Sequence, residues 1–323
     1  MGRSVCNVVG SEEAGKRLDA FCTDLGLYGS RSAAAKAIDR GNVLVNGKGV
    51  AKGTTLKAGD AVVCELADDA PVAELSGEPI PLDIRYEDDD VVVLSKQAGL
   101  ICHPAHEHRD GTLVNALVHR YGQSGLCNVQ GDMDRLGIVH RLDGDTSGLM
   151  MAARNDEAGQ LLMDAISRKE VDRRYMALVH GIIQPDTGLI DAPIMRNPSD
   201  RKTMAVGDGP SSRDAITTFT VLDRFEGDGR NDGFTLLECK LYTGRTHQIR
   251  VHMQYIKHPI VGDPAYNAHG PKDEKSNLGL NRQFLHSYKL GFHHPITGEE
   301  MLFEDELPDD LMVALNSLSS RRL

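Results

Sequence analysis

The chain reads as an α+β protein: a mixed, largely antiparallel sheet domain over residues 76–323, preceded by a small α/β domain over residues 1–75. Three observations predict this. In the longer part, strand candidates outnumber helices and often follow one another directly, which disfavours a doubly wound parallel sheet. The N-terminal part carries two amphipathic helices and a short strand set. Between the two parts, Asp68, Asp69, Glu74, Glu78, Asp83, Glu87, Asp88, Asp89 and Asp90 face only Arg85, and Pro71, Gly77, Pro79 and Pro81 break any period. That composition is a linker's, and it places the boundary near residue 75. A length of 323 residues also suits two domains, at roughly 150 residues each.

In the first domain, Leu18, Phe21, Cys22 and Leu25 fall at helical spacing. A second helix starts at Ser30 or Ser32, either of which can cap it, and runs through Ala33 to Ile38 before Gly41 stops it. Val43-Leu44-Val45 is a short strand, and Asn46-Gly47 suits the positive φ angles of a tight hairpin. In the second domain the strand candidates are 91–94, 138–141, 149–153, 175–179, 217–222 and 234–241, and the helices 112–121, 156–167 and 246–256.

Composition excludes several classes. No stretch approaches the roughly 18 apolar residues of a membrane span, and the start lacks the apolar core of a signal peptide, so a cytoplasmic location is expected. The cysteines at 6, 22, 64, 102, 127 and 239 are scattered and read as reduced, buried hydrophobes. A net charge of −11 argues at first against a nucleic-acid partner, but its distribution is uneven. From Lys16 to Glu65, the bases Lys16, Arg17, Arg31, Lys36, Arg40, Lys48, Lys52 and Lys57 outnumber the acids Asp19, Asp24, Asp39, Asp60 and Glu65. The chain has no dinucleotide fingerprint, phosphate loop or Gly-x-Ser-x-Gly elbow. His103, His106 and His108 are close enough in sequence to hold a metal, but only Glu107 and Asp110 could complete the set, and an ordinary polar loop is the expectation.

Two segments concentrate unusual residues. His140-Arg141-Leu142-Asp143-Gly144-Asp145-Thr146-Ser147-Gly148 lies between strand candidates, where a scaffold presents reacting groups. Its Asp, Gly, Thr and Ser are also ordinary turn formers, and that blander reading suits Asp145. Thr243-Gly244-Arg245-Thr246-His247-Gln248-Ile249-Arg250-Val251-His252-Met253 leaves a strand and enters a helix. There Ile249, Met253 and Ile256 face the core and put Arg250 at the edge of the buried stripe, where a desolvated arginine needs a carboxylate. A surface arginine packing only its stem is the alternative.

These segments, with Arg174-Tyr175-Met176-Ala177-Leu178-Val179-His180-Gly181, resemble the RluA family of RNA pseudouridine synthases, and supporting matches extend the likeness over residues 82–310. Arg196-x-Pro198 and Arg201-x-x-Met204-Ala205-Val206 are most similar to its RluD-type, large-subunit ribosomal RNA branch. Residues 15–66 resemble the S4 RNA-binding domain through Lys16-Arg17-Leu18-Asp19, Ser30-Arg31-Ser32, the 41–47 segment and Leu56-Lys57-Ala58-Gly59-Asp60.

The resemblance implies a pseudouridine synthase fold, no cofactor, no metal, and RNA as partner, specifically 23S ribosomal RNA or its precursor. Asp143 would attack C1′ or take the C2′ proton, a choice the sequence leaves open. Arg250 would be its salt-bridge partner and Tyr175 would pack on the uracil. Arg141 would fill the gap left by the flipped nucleotide. Arg245, His247 and Gln248 would bind substrate, and Arg31, Lys36 and Arg40 RNA. Two positions depart from the family pattern: Gln97 replaces a proline after Lys96, and Gly144 follows the reacting aspartate where a larger residue is common. The rival readings are a non-catalytic RNA-binding ribosome-assembly factor and a hydrolase using Asp143 with His140 or His247.

Overall fold

The computed structural model describes the chain except for residues 1–2, 29–30, 67–74, 105–108, 201, 230 and 268–276. Ser30, much of the linker, His106, Glu107, His108 and Arg201 therefore lie outside the described residues. The chain divides into two compact units: Met1–Ser76 with Asn128–Leu136, and Gly77–Cys127 with Gly137–Leu323.

The first unit contains β1 (Arg3–Val8), α1 (Leu18–Asp24), α2 (Arg31–Asp39), β2 (Val43–Val45), β3 (Lys48–Gly49) and β4 (Ala61–Leu66). Its antiparallel sheet runs β1-β4-β2-β3. Asn46 and Gly47 both adopt positive φ at the β2–β3 turn, as that pair does in tight hairpins. Leu18, Phe21 and Cys22 of α1 and Ala34 and Ile38 of α2 are buried in one core with Val43, Val45, Val62 and Cys64 of the sheet. The edge strand β1 escapes sequence reading because its residues 4–8 are exposed or only half-buried, and pairing with β4 is what makes it a strand. Several bases of this unit are paired: Lys16 with Asp24 at 2.7 Å, Arg17 with Asp19 at 2.9 Å and Lys52 with Asp39 at 2.8 Å. Its free positive charge is thus smaller than the count of bases suggests. Arg40 is exposed, and the side chains of Arg31 and Lys36 lie outside the described residues.

The second unit contains β5 (Asp83–Glu87), β6 (Val91–Lys96), α3 (Leu113–Tyr121), β7 (Ser147–Ala153), α4 (Asp156–Ser167), β8 (Asp172–His180), β9 (Thr187–Asp191), β10 (Ile194–Arg196), β11 (Met204–Val206), β12 (Ile216–Phe225), β13 (Phe234–Leu241), α5 (Gln248–Tyr255), β14 (Leu285–His293), β15 (Glu300–Glu304) and α6 (Asp309–Asn316). A nine-stranded sheet runs β5-β6-β7-β14-β8-β13-β12-β9, with β15 added on β14, and β10–β11 form a separate hairpin. The mixed, largely antiparallel sheet is as expected: only the β7–β14 junction is parallel.

That junction positions the site. His286 and Ser287 pair with β7, while residues 289–293 pair with β15, and β8 stays on the opposite edge throughout. The strands approach so closely at Gly148, φ +110°, that a Cβ there would lie 2.3 Å from the Ser287 carbonyl oxygen. Only glycine fits such a contact.

The strand expected at 138–141 does not form; only Ile138 makes an isolated bridge, to Ala152. The His140 ring takes the place of a neighbouring strand, its Nε2 accepting the Met151 N–H at 3.0 Å. Burial drives the pKa of this histidine down to about 3. The chain is thereby freed to form the loop that carries Asp143.

Candidate active site

Asp143 opens a tight turn closed by the Thr146 N–H donating to the Asp143 carbonyl at 3.1 Å. The turn is pinned residue by residue. Leu142 exchanges hydrogen bonds with the Cys102 thiol, at 3.2 and 3.4 Å. The Gly144 carbonyl accepts from Gly99 N at 3.0 Å and from Lys96 Nζ at 2.8 Å. Arg282, itself clamped to Asp310, donates to the Asp145 carbonyl at 3.1 Å, and Gln283 donates to Thr146 Oγ1 at 3.1 Å. Gly144 needs none of its conformational freedom, since a Cβ there would meet Ile101 at an ordinary 3.6 Å. Nor does Gln97 leave the preceding segment loose, because Lys96 also donates to the carbonyls of Gln97 and Leu100, at 2.9 and 2.8 Å.

Lys96 is fully buried, and burial lowers its pKa to about 8. Three carbonyls need three N–H donors, which only the ammonium form provides. Activity is therefore expected to fall as pH rises through about 8, and Lys96→Met to lose that limb along with part of its neutral-pH activity. Because the folded value lies below the ordinary lysine value of 10.5, this ionisation adds stability between the two values as pH rises. A lower melting temperature therefore does not account for the lost rate. Identical alkaline limbs in the two proteins would remove Lys96 from the explanation.

Arg250, one turn into α5 and buried, bridges two carboxylates. It donates to Asp143 Oδ2 at 3.1 Å through NH1, and grips Asp263 at 2.7 Å through Nε and 3.0 Å through NH2. Asp263 is fully buried and also accepts from the backbone of Ala265 and Tyr266, at 2.9 and 3.0 Å. Burial opposes charge on Arg250, but its bonds and ion pairs with Asp263 and Asp143 outweigh burial and raise its pKa above the usual arginine range. A bidentate pair of this kind fixes direction as well as charge, so Arg250 presents one N–H to Asp143. The desolvated arginine inferred from helical spacing thus has its carboxylates.

His247 adopts φ 57° just before α5, a conformation that a non-glycine residue holds only when its surroundings enforce it. Tyr266 enforces it: its hydroxyl accepts from Met204 N at 2.8 Å and donates to His247 Nδ1 at 2.7 Å. The ring proton is thereby assigned to Nε2, which lies 3.9 Å from Asp143 Oδ1. Burial holds the His247 pKa down against the pull of Asp143, and burial pushes Tyr266 up to about 12, so the hydroxyl keeps its proton. The Arg250 guanidinium sits 4.9 Å from the centre of the Tyr266 ring.

Tyr175 stands on β8 opposite Ser287 of β14, 5 % exposed, and lines the cleft beside Asp143. Burial raises its pKa, partly offset by the charge of Arg173. Arg141 and Arg245 are exposed at the rim; Arg141 reaches His103 Nε2 at 3.4 Å and Arg245 Nε donates to the Asp214 carbonyl at 2.9 Å.

Two of the residues named from the sequence have their polar groups taken up by the fold. Gln248, expected on substrate, lines the cleft with its amide held in place: its Oε1 accepts from Thr243 Oγ1 and Arg245 N, and its Nε2 donates to Ile216 O and Thr217 Oγ1, all within 2.8–3.0 Å. His140 faces β7 and is not available to a hydrolytic site. Asp263 and Tyr266, on which the geometry depends, were not singled out from the sequence. The signal for Asp263 was the unnamed carboxylate that a buried Arg250 requires.

The cleft lined by Arg141, Asp143, Tyr175, His247 and Arg250 measures about 50 Å³, well below the roughly 300 Å³ of an open ligand pocket. A larger hollow of about 800 Å³ beside His180, Tyr255 and His258 contains none of Asp143, Tyr175 or Arg250. The grouping around Asp143 offers one carboxylate oxygen to an incoming group, a fixed cation behind it and an aromatic wall, which suits nucleophilic or proton-transfer chemistry on a planar base.

Residues 90–255 match the RNA pseudouridylate synthase family, and residues 16–62 match the S4 domain. The chain is 44% identical over 309 residues to an uncharacterized RNA pseudouridine synthase of Bacillus subtilis, covering 95% of each. It is 41% identical over 318 residues to the ribosomal large subunit pseudouridine synthase D of Xanthomonas campestris, covering 96% of this chain and 91% of that one. Among solved structures, human RNA pseudouridylate synthase domain containing 1 superposes with a TM-score of 0.56 at 26% identity, over 76% of this chain and 91% of the human one. With a family match across half its length and relatives this similar along nearly all of it, the chain belongs to the RNA pseudouridylate synthases, a family of isomerases, and carries an S4 domain at its N-terminal end.

Proposed function

We propose that this protein converts uridines of large-subunit ribosomal RNA to pseudouridine in the cytoplasm, with Asp143 as the reacting carboxylate. The observation that carries the reading is the buried Asp143–Arg250–Asp263 arrangement, which directs a carboxylate into a cleft walled by Tyr175. The named relative supplies the RNA class.

The target base leaves the stack and enters the cleft, and Arg141, exposed on the rim, takes its place. Asp143 then either bonds C1′ as the N1–C1′ bond breaks, or removes the C2′ proton as it breaks. Both routes require the same lone pair, aimed by Arg250 NH1. The freed uracil turns against Tyr175, and C5 bonds to C1′ as the Asp143–C1′ bond breaks or, on the other route, as Asp143 returns the proton to C2′; the C5 proton then leaves and N1 gains one. His247 Nε2–H, 3.9 Å from Asp143, is close enough to steady the carboxylate or a base oxygen as the charge moves.

The test is incubation with ribosomal RNA tritiated at C5 of uridine. Stoichiometric tritium release with an intact chain and no free uracil is expected. Free uracil or cut RNA indicates a hydrolase, and no reaction a binding factor; either sinks the proposal.

The S4 domain, spanning residues 1–75 in this reading, would anchor the RNA through Arg31, Lys36 and Arg40. Replacing all three with alanine is expected to weaken binding and to flatten the slope of log affinity against log salt by up to about 2, at roughly 0.7 per phosphate contact. Filter binding across a salt series measures this, and an unchanged slope removes these residues from the RNA interface.

A further inference from the structure

Arg173 is the least expected residue near the site. It lies on β8, 4% exposed, and its Nε is buried without a hydrogen-bond partner among the described residues. No carboxylate pairs with it among the described residues, unlike Arg250 and Arg282, each gripped by an aspartate. A buried cation left in this state normally acquires a counter-charge or is lost from a core. Its place is specific. Alternation along β8 puts Arg173 on the same face as Tyr175. Its NH1 would lie only 3.0 Å from a Cβ at Gly244, so the guanidinium lies under the turn that leads to Arg245 and His247.

The charges of the proposed reaction show what such a group can do. At rest, Asp143 and Asp263 against Arg250 leave one net negative charge. When N1–C1′ breaks, its electron pair goes to the base, which becomes a uracil anion. The charge of Asp143 disappears at the same moment, into a bond to C1′ or onto the C2′ proton. Asp263 and Arg250 then cancel, and the anion needs a cation of its own. Three further buried cations lie near the site among the described residues, and Arg282 is already paired with Asp310. Lys96 has its donors taken by three carbonyls beneath the Asp143 turn. Arg173 stands beside the ring against which the base turns.

We propose that Arg173 is held unpaired behind Tyr175 as the standing positive charge for the uracil anion that exists between bond breakage and rejoining. It is a supporting residue that acts through Tyr175 without touching the base, and the inference rests on the assignment of Asp143 above. The electron pair returns when C5 bonds to C1′ as Asp143 recovers its charge, by leaving C1′ or by returning the proton to C2′, and the proton lost from C5 to water is balanced by one gained at N1. Nothing else has to enter or leave, and a fixed charge that needs no reorganisation suits an anion with so short a life.

The experiment compares wild type, Arg173→Met and Arg173→Lys in single turnovers on RNA with uridine, and separately 5-fluorouridine, at the target position. Fluorine stabilises the ring anion and removes the C5 proton, so the second substrate reports glycosidic cleavage alone with a better leaving group. On uridine, Arg173→Met is expected to slow cleavage about 100-fold and Arg173→Lys less than about 10-fold, the scale seen when one preorganised charge or donor is removed. On 5-fluorouridine the deficit of Arg173→Met should shrink several-fold. Its melting temperature should not fall, because an unpaired buried charge has been replaced by an apolar chain. Four outcomes overturn the proposal: a wild-type rate for Arg173→Met, equal deficits on the two substrates, a lysine variant no better than methionine, or a marked loss of stability. Asp143→Asn, run alongside, separates the two claims, since an inactive Asp143→Asn keeps the assignment of Asp143 whatever Arg173 shows.

Discussion

Asp143→Asn is expected to abolish pseudouridine formation, by at least about 10⁴-fold, while RNA affinity changes less than a few-fold. The substitution removes the reacting oxygen's charge and almost no volume. It keeps the turn, because the bonds that hold it go to backbone groups of residues 142, 144 and 145 and to Thr146, not to the Asp143 side chain. Tritium release measures the rate and gel-shift titration the affinity. Turnover within 100-fold of wild type would refute the role given to Asp143.

Asp263→Ala is expected to have the second largest effect, and on two measurements at once. It strips Arg250 of a bidentate partner in a site where that arginine is 7% exposed and Asp263 is not exposed at all. Removing one partner of such a buried pair typically destabilises by about 3–5 kcal/mol. The Ala265 and Tyr266 N–H groups lose their acceptor as well, which loosens the tyrosine that holds His247 in its left-handed conformation. Denaturant unfolding should show the stability loss, and kcat should fall about 10²-fold or more because Arg250 no longer aims at Asp143. Asp263→Asn, which retains acceptors but not charge, should fall between. If kcat holds while stability drops, Asp263 braces the fold and does not aim Arg250.

Sign patterns in the chain explain why the first effect was readable before the second. Asp143 lies in a short punctuated loop and Arg250 at helical spacing beside core residues, so local chemistry marks both. Asp263 lies in Pro259-Ile260-Val261-Gly262-Asp263, a segment that supports the family resemblance without assigning the aspartate a role, and acquires that role only when α5 brings Arg250 against it. The same distinction separates Gln248 from Arg245. Both stand in one motif, yet the direction of each side chain at the start of α5 sends one amide into the sheet and leaves the other residue exposed.

The strands divide in the same way. Val91–Lys96 and Phe234–Leu241 carry their own apolar signal, whereas β1 and the short hairpin β10–β11 become strands through pairing. At 138–141 an apolar, β-branched run was overruled when one histidine ring filled the ladder position that a strand would have used.

By itself, then, the sequence determined the α+β class, the helices with strong period, the turn chemistry at Asn46-Gly47 and Asp143 and Arg250 as residues to watch, while Tyr175 was marked only by the family resemblance of its segment. All but the last are properties of spacing and local propensity, which act between neighbours along the chain. Only the tertiary structure decided that Arg250 answers to two carboxylates, that Tyr266 sets the His247 proton, that Lys96 holds the Asp143 turn and that Arg173 stands buried and unpaired. Those depend on desolvation and on contacts between residues up to more than a hundred positions apart, and neither quantity exists until the sheet closes.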